Sequence, residues 1–171
     1  MVSNKDAGKQ PVLTLRLRVK DKHARFLCGQ AREVNFVWNF CNETSVKILE
    51  REQRFCSNVD LDKLTSGVTI GDDGLSLHSQ TVQAVSKEYV TRRKQFKKVK
   101  LRWPKSYRVR RSLGWIPFKT SALSYKRGQV KYCGRFISLW DSYVLSRYDL
   151  GTGSFSEDSR GRWYLNVTAT P

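Results

Sequence analysis

The chain has 171 residues, 39% of them hydrophobic and 12% aromatic, which suits one compact domain or two small ones and excludes wholesale disorder. Lys and Arg number 32 against 15 carboxylates, giving a net charge of +17 and a pI near 10.1, so the expected partner is a polyanion, nucleic acid first. No apolar run approaches the roughly 18 residues of a spanning helix and no signal peptide opens the sequence, so no membrane partner and a cytoplasmic location are expected.

Residues 1–10 read as a polar lead-in. Residues 12–20, "VLTLRLRVK", alternate Leu13, Leu15, Leu17 and Val19 against Thr14, Arg16, Arg18 and Lys20, the period of a half-buried strand with a basic outer face. Asp21 is a candidate N-cap. Beyond it Leu27, Ala31, Val34, Trp38, Cys41, Ser45 and Ile48 recur in alternating steps of four and three, an amphipathic helix ending near Gln53. Asn35, Asn39 and Asn42 lie at i, i+4 and i+7 on one side of it. Asparagine is a poor helix-interior residue because its amide competes for backbone groups. Three in register therefore have a use, either hydrogen bonds to a neighbouring element or contact with a nucleic acid.

A short helix at 60–66 and a Gly/Asp-rich loop lead to a second long helix, from about Ser79 to Lys98, apolar at Val82, Val85, Tyr89 and Phe96. Gln80, Gln83 and Lys87 form a polar face beside Ser79, and glutamine is suited to bidentate reading of adenine in a groove. Residues 87–111 then hold Lys87, Arg92, Arg93, Lys94, Lys97, Lys98, Lys100, Arg102, Lys105, Arg108, Arg110 and Arg111 against Glu88 alone. A solvated helix face normally mixes its signs, so these cations are expected on phosphates; Arg16, Arg18 and Lys20 of the first strand are a further basic surface. Tyr89 and Phe96 are expected in the core, while Trp103 and Tyr107 are candidates for stacking on unpaired bases.

The run stops at Gly114-Trp115-Ile116-Pro117-Phe118, where the chain is expected to return to a sheet, its aromatics as wall. After Trp103-Pro104 the period falls to two. "ALSYKRGQVKYCG" (122–134) reads as two strands joined at Lys126-Arg127-Gly128, and "RFISLWDS" (135–142) and "VLSRYDLG" (144–151) as further strands. A glycine-containing turn follows around 151–153, then a last strand with Trp163, Leu165, Val167 and Ala169 on one side. One strand, then helices, then a run of strands gives an α+β fold. Its expected form is an antiparallel β-barrel with a helical insertion after the first strand: residues 1–20 as lead-in and first strand, 21–100 as insertion, 101–171 as the remaining strands.

Cys28, Cys41, Cys56 and Cys133 contain no C-x-x-C pair and stand at unsuitable spacings from His23 and His78 for zinc, so reduced thiols, no metal and no cofactor are expected. The acids are scattered, without the convergent carboxylates that metal-dependent phosphodiester cleavage needs, and no phosphate loop or Ser/His or Cys/His arrangement is visible. The residues alone describe a binding module rather than an enzyme.

The order of pieces carries a resemblance. The first strand, "REVNFVWNFCNE" (32–43), "HSQTVQAVSKEYVTRRKQFKK" (78–98), "LGWIPFK" (113–119) and "GRWYLNVTA" (161–169) resemble the amino-terminal half of TnpB proteins over residues 11–170. These are RNA-guided nucleases of insertion-sequence transposons, related to type V CRISPR effectors. The resemblance implies a wedge barrel interrupted after its first strand by a helical recognition domain. It implies guide RNA and double-stranded target DNA as partners in a prokaryotic, nucleoid-associated setting. Ser79, Gln80, Gln83 and Lys87 fall where the family's motif-reading side chains lie, and the basic residues of 92–111 fall near its RNA–DNA channel. The family's RuvC nuclease begins soon after a strand like 163–169, whereas this sequence stops at Pro171. Cleavage, and Mg²⁺ with it, is therefore expected only from a RuvC-containing polypeptide. A free-standing, nuclease-dead DNA-binding regulator of the same derivation is the alternative; a ribosomal-type RNA-structural protein would explain the charge but not the order of elements.

Overall fold

In the computed structural model, which describes residues 11–65, 79–96, 101, 104–106 and 111–171, the first alternating segment forms β1 (Leu13–Arg18). It pairs antiparallel with β7 (Trp163–Thr170), from Leu13 opposite Ala169 to Arg18 opposite Tyr164. The two alternations mesh, because Leu15 and Leu17 oppose Val167 and Leu165 on the face turned to the core, while Leu13 at the outer end stays exposed. β7 continues to β6 (Asp149–Glu157) and β6 to β2 (Trp115–Phe118), a four-stranded sheet in the order β1-β7-β6-β2. Pro117 cannot donate to a ladder and sits in β2, an edge strand, where that donor is dispensable. Ile116, Pro117 and Phe118 are buried and Trp115 is half-buried, so the basic run does end where the chain returns to a sheet.

β3 (Leu123–Lys126), β4 (Gln129–Tyr132) and β5 (Arg135–Ser138) form a separate meander. Its turns, Arg127-Gly128 and Cys133-Gly134, have positive φ at both central residues (50° and 81°, 51° and 72°), the two-residue hairpin geometry that matches strand twist. On one side the sheets meet where Val19 bridges Leu139, flanked by Lys20 N–H on the Ser138 carbonyl at 3.0 Å and Trp140 N–H on the Arg18 carbonyl at 2.9 Å. On the other, a single 3-10 turn (Thr120–Ala122) joins β2 to β3. Phe118, Tyr132 and Phe155, with ring centroids 5.3 to 6.0 Å apart, draw β2, β4 and β6 together. The ladders among the described residues form two antiparallel sheets and do not close into a ring.

Between β1 and β2 lie α1 (Ala24–Glu52), α2 (Asn58–Thr65) and α3 (Ser79–Phe96). α1 buries Leu27, Ala31, Val34, Cys41, Ser45 and Ile48 of the expected stripe, with Trp38 half-buried, and ends at Gln53 in the left-handed region (φ 53°). Burial pushes the Cys41 thiol up to about 11, which keeps it inert. α2 opens on a reciprocal cap: Asp60 N–H donates to Ser57 Oγ at 3.2 Å, and Ser57 N–H donates to Asp60 Oδ2 at 2.9 Å. That bond, with Arg54 beside it, lowers the Asp60 carboxyl to about 2. One hydrophobic core runs from α1 and α3 into both sheets, and no described helix is long and apolar enough to cross a membrane.

Four local expectations are corrected. Asp21 does not cap α1; it opens a 3-10 turn (Asp21–His23) and pairs with Arg18 at 3.2 Å. Residues Ser142–Arg147, part of an expected strand, form a 3-10 helix after a left-handed Asp141, with Leu145 buried while Tyr143 and Val144 face water. Residues 151–153 are not a turn but lie inside β6, where the register shifts between Leu150 and Gly153. A Cβ on Gly153 would lie 2.1 Å from the Asn166 carbonyl oxygen, so glycine marks close strand approach there. Phe96, expected in the core, is exposed in the last turn of α3.

Candidate nucleic-acid interface

At 100° per residue, Gln80, Gln83, Lys87, Thr91 and Lys94 of α3 fall within an arc of about 80°, opposite buried Val82, Val85 and Tyr89. Gln83, Lys87, Thr91 and Lys94 are exposed. The first turns of this stripe abut the β2–β3 corner: Gln80 Nε2 donates to Ser121 Oγ, and Lys119 Nζ donates to Gln83 Oε1 at 3.2 Å. Two amides and two ammonium groups thus share one helical face, anchored to the sheet at its amide end. Ser79 opens the same helix.

Within the basic run the structure separates cations by use. Arg93 is buried at 3% exposure, against the expectation that it contacts phosphate. Its guanidinium donates to Ser45 Oγ at 2.6 Å and to the Cys56 carbonyl, tying α3 to α1 and to the chain after it. Arg92 pairs with Glu88 at 2.8 Å one turn earlier and stays half-exposed, while Lys94 is open to water. Arg111 makes a two-pronged pair with Glu157, at 2.6 and 2.8 Å. Glu157 also accepts the Gly114 N–H at 3.0 Å, and these contacts, Arg111 first, hold its carboxyl below the usual value. Arg111 therefore stabilises the return of the chain to β2, a structural use the run's composition did not reveal. Lys97, Lys98, Lys100, Arg102, Trp103, Tyr107, Arg108 and Arg110 lie outside the described residues. Lys105 and Ser112 are bonded to each other, since Ser112 N–H donates to the Lys105 carbonyl at 2.8 Å and Lys105 N–H donates to Ser112 Oγ at 3.0 Å. The Lys105 side chain is exposed.

The three asparagines of α1 resolve as a ladder on protein. Asn42 is buried and pairs with Leu101 in both directions, accepting its N–H at 3.0 Å and donating to its carbonyl at 2.6 Å, while Oδ1 also accepts the Tyr89 hydroxyl at 2.9 Å. Asn39 donates to the Pro104 carbonyl at 3.4 Å and Asn35 to Ser106 Oγ at 2.9 Å. Side-chain amides thus substitute for a strand partner and meet Leu101, Pro104 and Ser106 in antiparallel order along α1. Next to this ladder a cleft of about 510 Å³ opens between α1, α3 and residues 111–115, walled by Val34, Trp38, Leu113 and Trp115 with Arg92 and Arg111.

On the outer face of the four-stranded sheet Arg16 lies 4.1 Å over the Tyr164 ring; next to the Val19–Leu139 bridge Lys20 lies 4.7 Å over Trp140. Arg18 is partly exposed through its pair with Asp21. Trp140 and Tyr143, both exposed, were not singled out from the sequence. Their signal was a broken strand period at "SLWDSY" (138–143), where two successive aromatics cannot both point inward.

The acids have structural partners in several places, among them Glu88 with Arg92, Glu157 with Arg111 and Asp158 with Arg162 at 2.9 Å. Among the described residues no group of three or more His, Cys, Asp or Glu stands together as a metal site. Compared with known proteins, the chain matches no family model and no curated relative.

Proposed function

We propose that this chain is the guide-RNA and target-DNA binding lobe of a TnpB-like RNA-guided nuclease, with cleavage and its Mg²⁺ supplied by a RuvC-containing polypeptide in a prokaryotic nucleoid. The observation that carries this reading is the pairing of β1 with β7 across the whole helical segment, which makes α1 to α3 an insertion into a sheet. Joined by the Val19–Leu139 bridge on one side and the 120–122 turn on the other, the two sheets act as an open barrel of wedge type. The α3 stripe supports motif reading, because Gln80 and Gln83 meet the sheet corner and Lys87 follows one turn on. The net charge of +17 supports phosphate binding.

Sequencing the RNA that copurifies with the chain from its native cells tests this. One discrete structured RNA is expected, encoded beside the chain's own reading frame, together with DNA binding that requires it. DNA binding without RNA would favour the free-standing regulator. Replacing Gln80 or Gln83 by Ala should lower preference for the correct adjacent motif about tenfold and leave bulk RNA affinity nearly intact, since an amide contributes base readout and no net charge.

A further inference from the structure

The β5 end of the meander carries two rings the core does not use. Trp140 is 55% exposed and Tyr143 is 76% exposed. Both have a fixed backbone. Trp140 N–H donates to the Arg18 carbonyl at 2.9 Å, and Asp141 (φ 57°) turns the chain into the 142–147 helix, which buried Ser142 and Leu145 hold down. Tyr143 lies against the β3–β4 turn, where a Cβ on Gly128 would come within 3.4 Å of its ring. Two residues lie between the two rings, so their Cα atoms are at most about 11 Å apart, within the reach of neighbouring nucleotides.

The surroundings identify the occupant. An apolar protein partner would need a continuous aliphatic surface, yet along the described 138–147 segment the exposed aliphatic residue beside these rings is Val144, at 36%. What surrounds them is cationic. Lys20 Nζ sits 4.7 Å over Trp140, Arg127 lies in the turn beneath Tyr143, and Arg147 is exposed at the end of the 3-10 helix, with Asp141 the acid between the rings. Bare rings flanked by ammonium and guanidinium groups suit bases that offer their faces and phosphates that offer charge. A duplex offers no free base faces, whereas an unpaired strand does. We propose that Trp140 and Tyr143 are a stacking platform for unpaired bases of single-stranded RNA, with Lys20 and Arg127 on the adjoining phosphates. The platform rests on the nucleic-acid reading above but is built from residues other than those of the α3 stripe and the basic run.

The test uses a labelled mixed-sequence 15-nucleotide RNA, alone and annealed to its complement. W140A/Y143A should lose about ten- to a hundredfold in affinity for the single strand, with unchanged duplex affinity, thermal midpoint and salt slope, because no charge is removed. W140F/Y143F should keep most of the affinity. The platform is overturned if the alanine variant binds the single strand like wild type, or loses single strand and duplex equally. It is also overturned if the phenylalanine variant is as weak as the alanine one, or if sedimentation reveals a self-association of wild type that the alanine variant lacks. Failure of wild type to bind either probe would overturn the nucleic-acid reading as well, which separates the two failures.

Discussion

A guanidinium withdrawn from water must find acceptors for its N–H groups, and Arg93 finds them in the Ser45 hydroxyl and the Cys56 carbonyl, with the Phe55 and Tyr89 rings beside its plane. Arg93→Ala leaves both acceptors without that donor and opens a void among α1, α3 and the chain after α1. The expected cost is about 2–4 kcal/mol, read as a lower urea midpoint with an unchanged slope. Lys94→Ala, one residue on and exposed, should stay within about 0.5 kcal/mol of wild type. An unshifted midpoint for Arg93→Ala would return that side chain to the surface cations. The helical register already contained this answer, since 82, 86, 89 and 93 recur on one side, and Val82, Ser86 and Tyr89 are buried. Treating 87–111 as one block of charge concealed it. The asparagine stripe was legible as a pattern, but its use was not, because its partners Leu101, Pro104 and Ser106 follow no period of their own.

Periodic elements were the readable ones. β7 buries an unbroken stripe against the core and β1 and α1 bury most of theirs, so spacing alone located them to within a residue or two. β6 was missed in part because Gly151 and Gly153 sit in a strand for reasons of cross-strand crowding, which one strand's sequence does not reveal. The join between elements is testable at His23, which links the start of α1 to the end of β5. Its Nε2 accepts the Ser138 N–H at 2.9 Å, and burial, then the charges of Lys22 and Arg135, hold its pKa below the ordinary value. A base whose folded pKa is lowered contributes stability that is complete above the unfolded value of about 6.5 and is lost as pH falls through the folded one. The thermal midpoint should therefore drop on acidification from pH 7 to 5, and His23→Gln should flatten that drop. An equally steep profile in His23→Gln would assign the acid sensitivity to another group.

The net charge of +17 motivates the proposed polyanionic partner, but does not tell which cations are free to meet it. Arg93 and Arg111 are committed to the fold, Arg92 is paired, and Lys87, Lys94 and Lys105 remain open. If about six to eight phosphates are neutralised, affinity should fall on the order of a thousandfold between 50 and 200 mM salt. Replacing Lys87 and Lys94 by Ala should weaken all sequences alike and reduce the log–log salt slope by about two, measured by fluorescence anisotropy. An unchanged slope would move the phosphate surface to Arg16 and Arg18 on β1 and to Lys20 just after it.

The pairing of residue 13 with residue 169 also governs how the chain comes into being. A ribosome emitting about 5–20 residues per second needs on the order of 10–30 s to deliver β7 after β1. Throughout that interval the leucine edge of β1 lacks its β7 ladder, while the helices can already pack on each other and then on β2. The nascent polypeptide therefore carries one sticky strand that waits until β7, far later in the chain, emerges to shelter it.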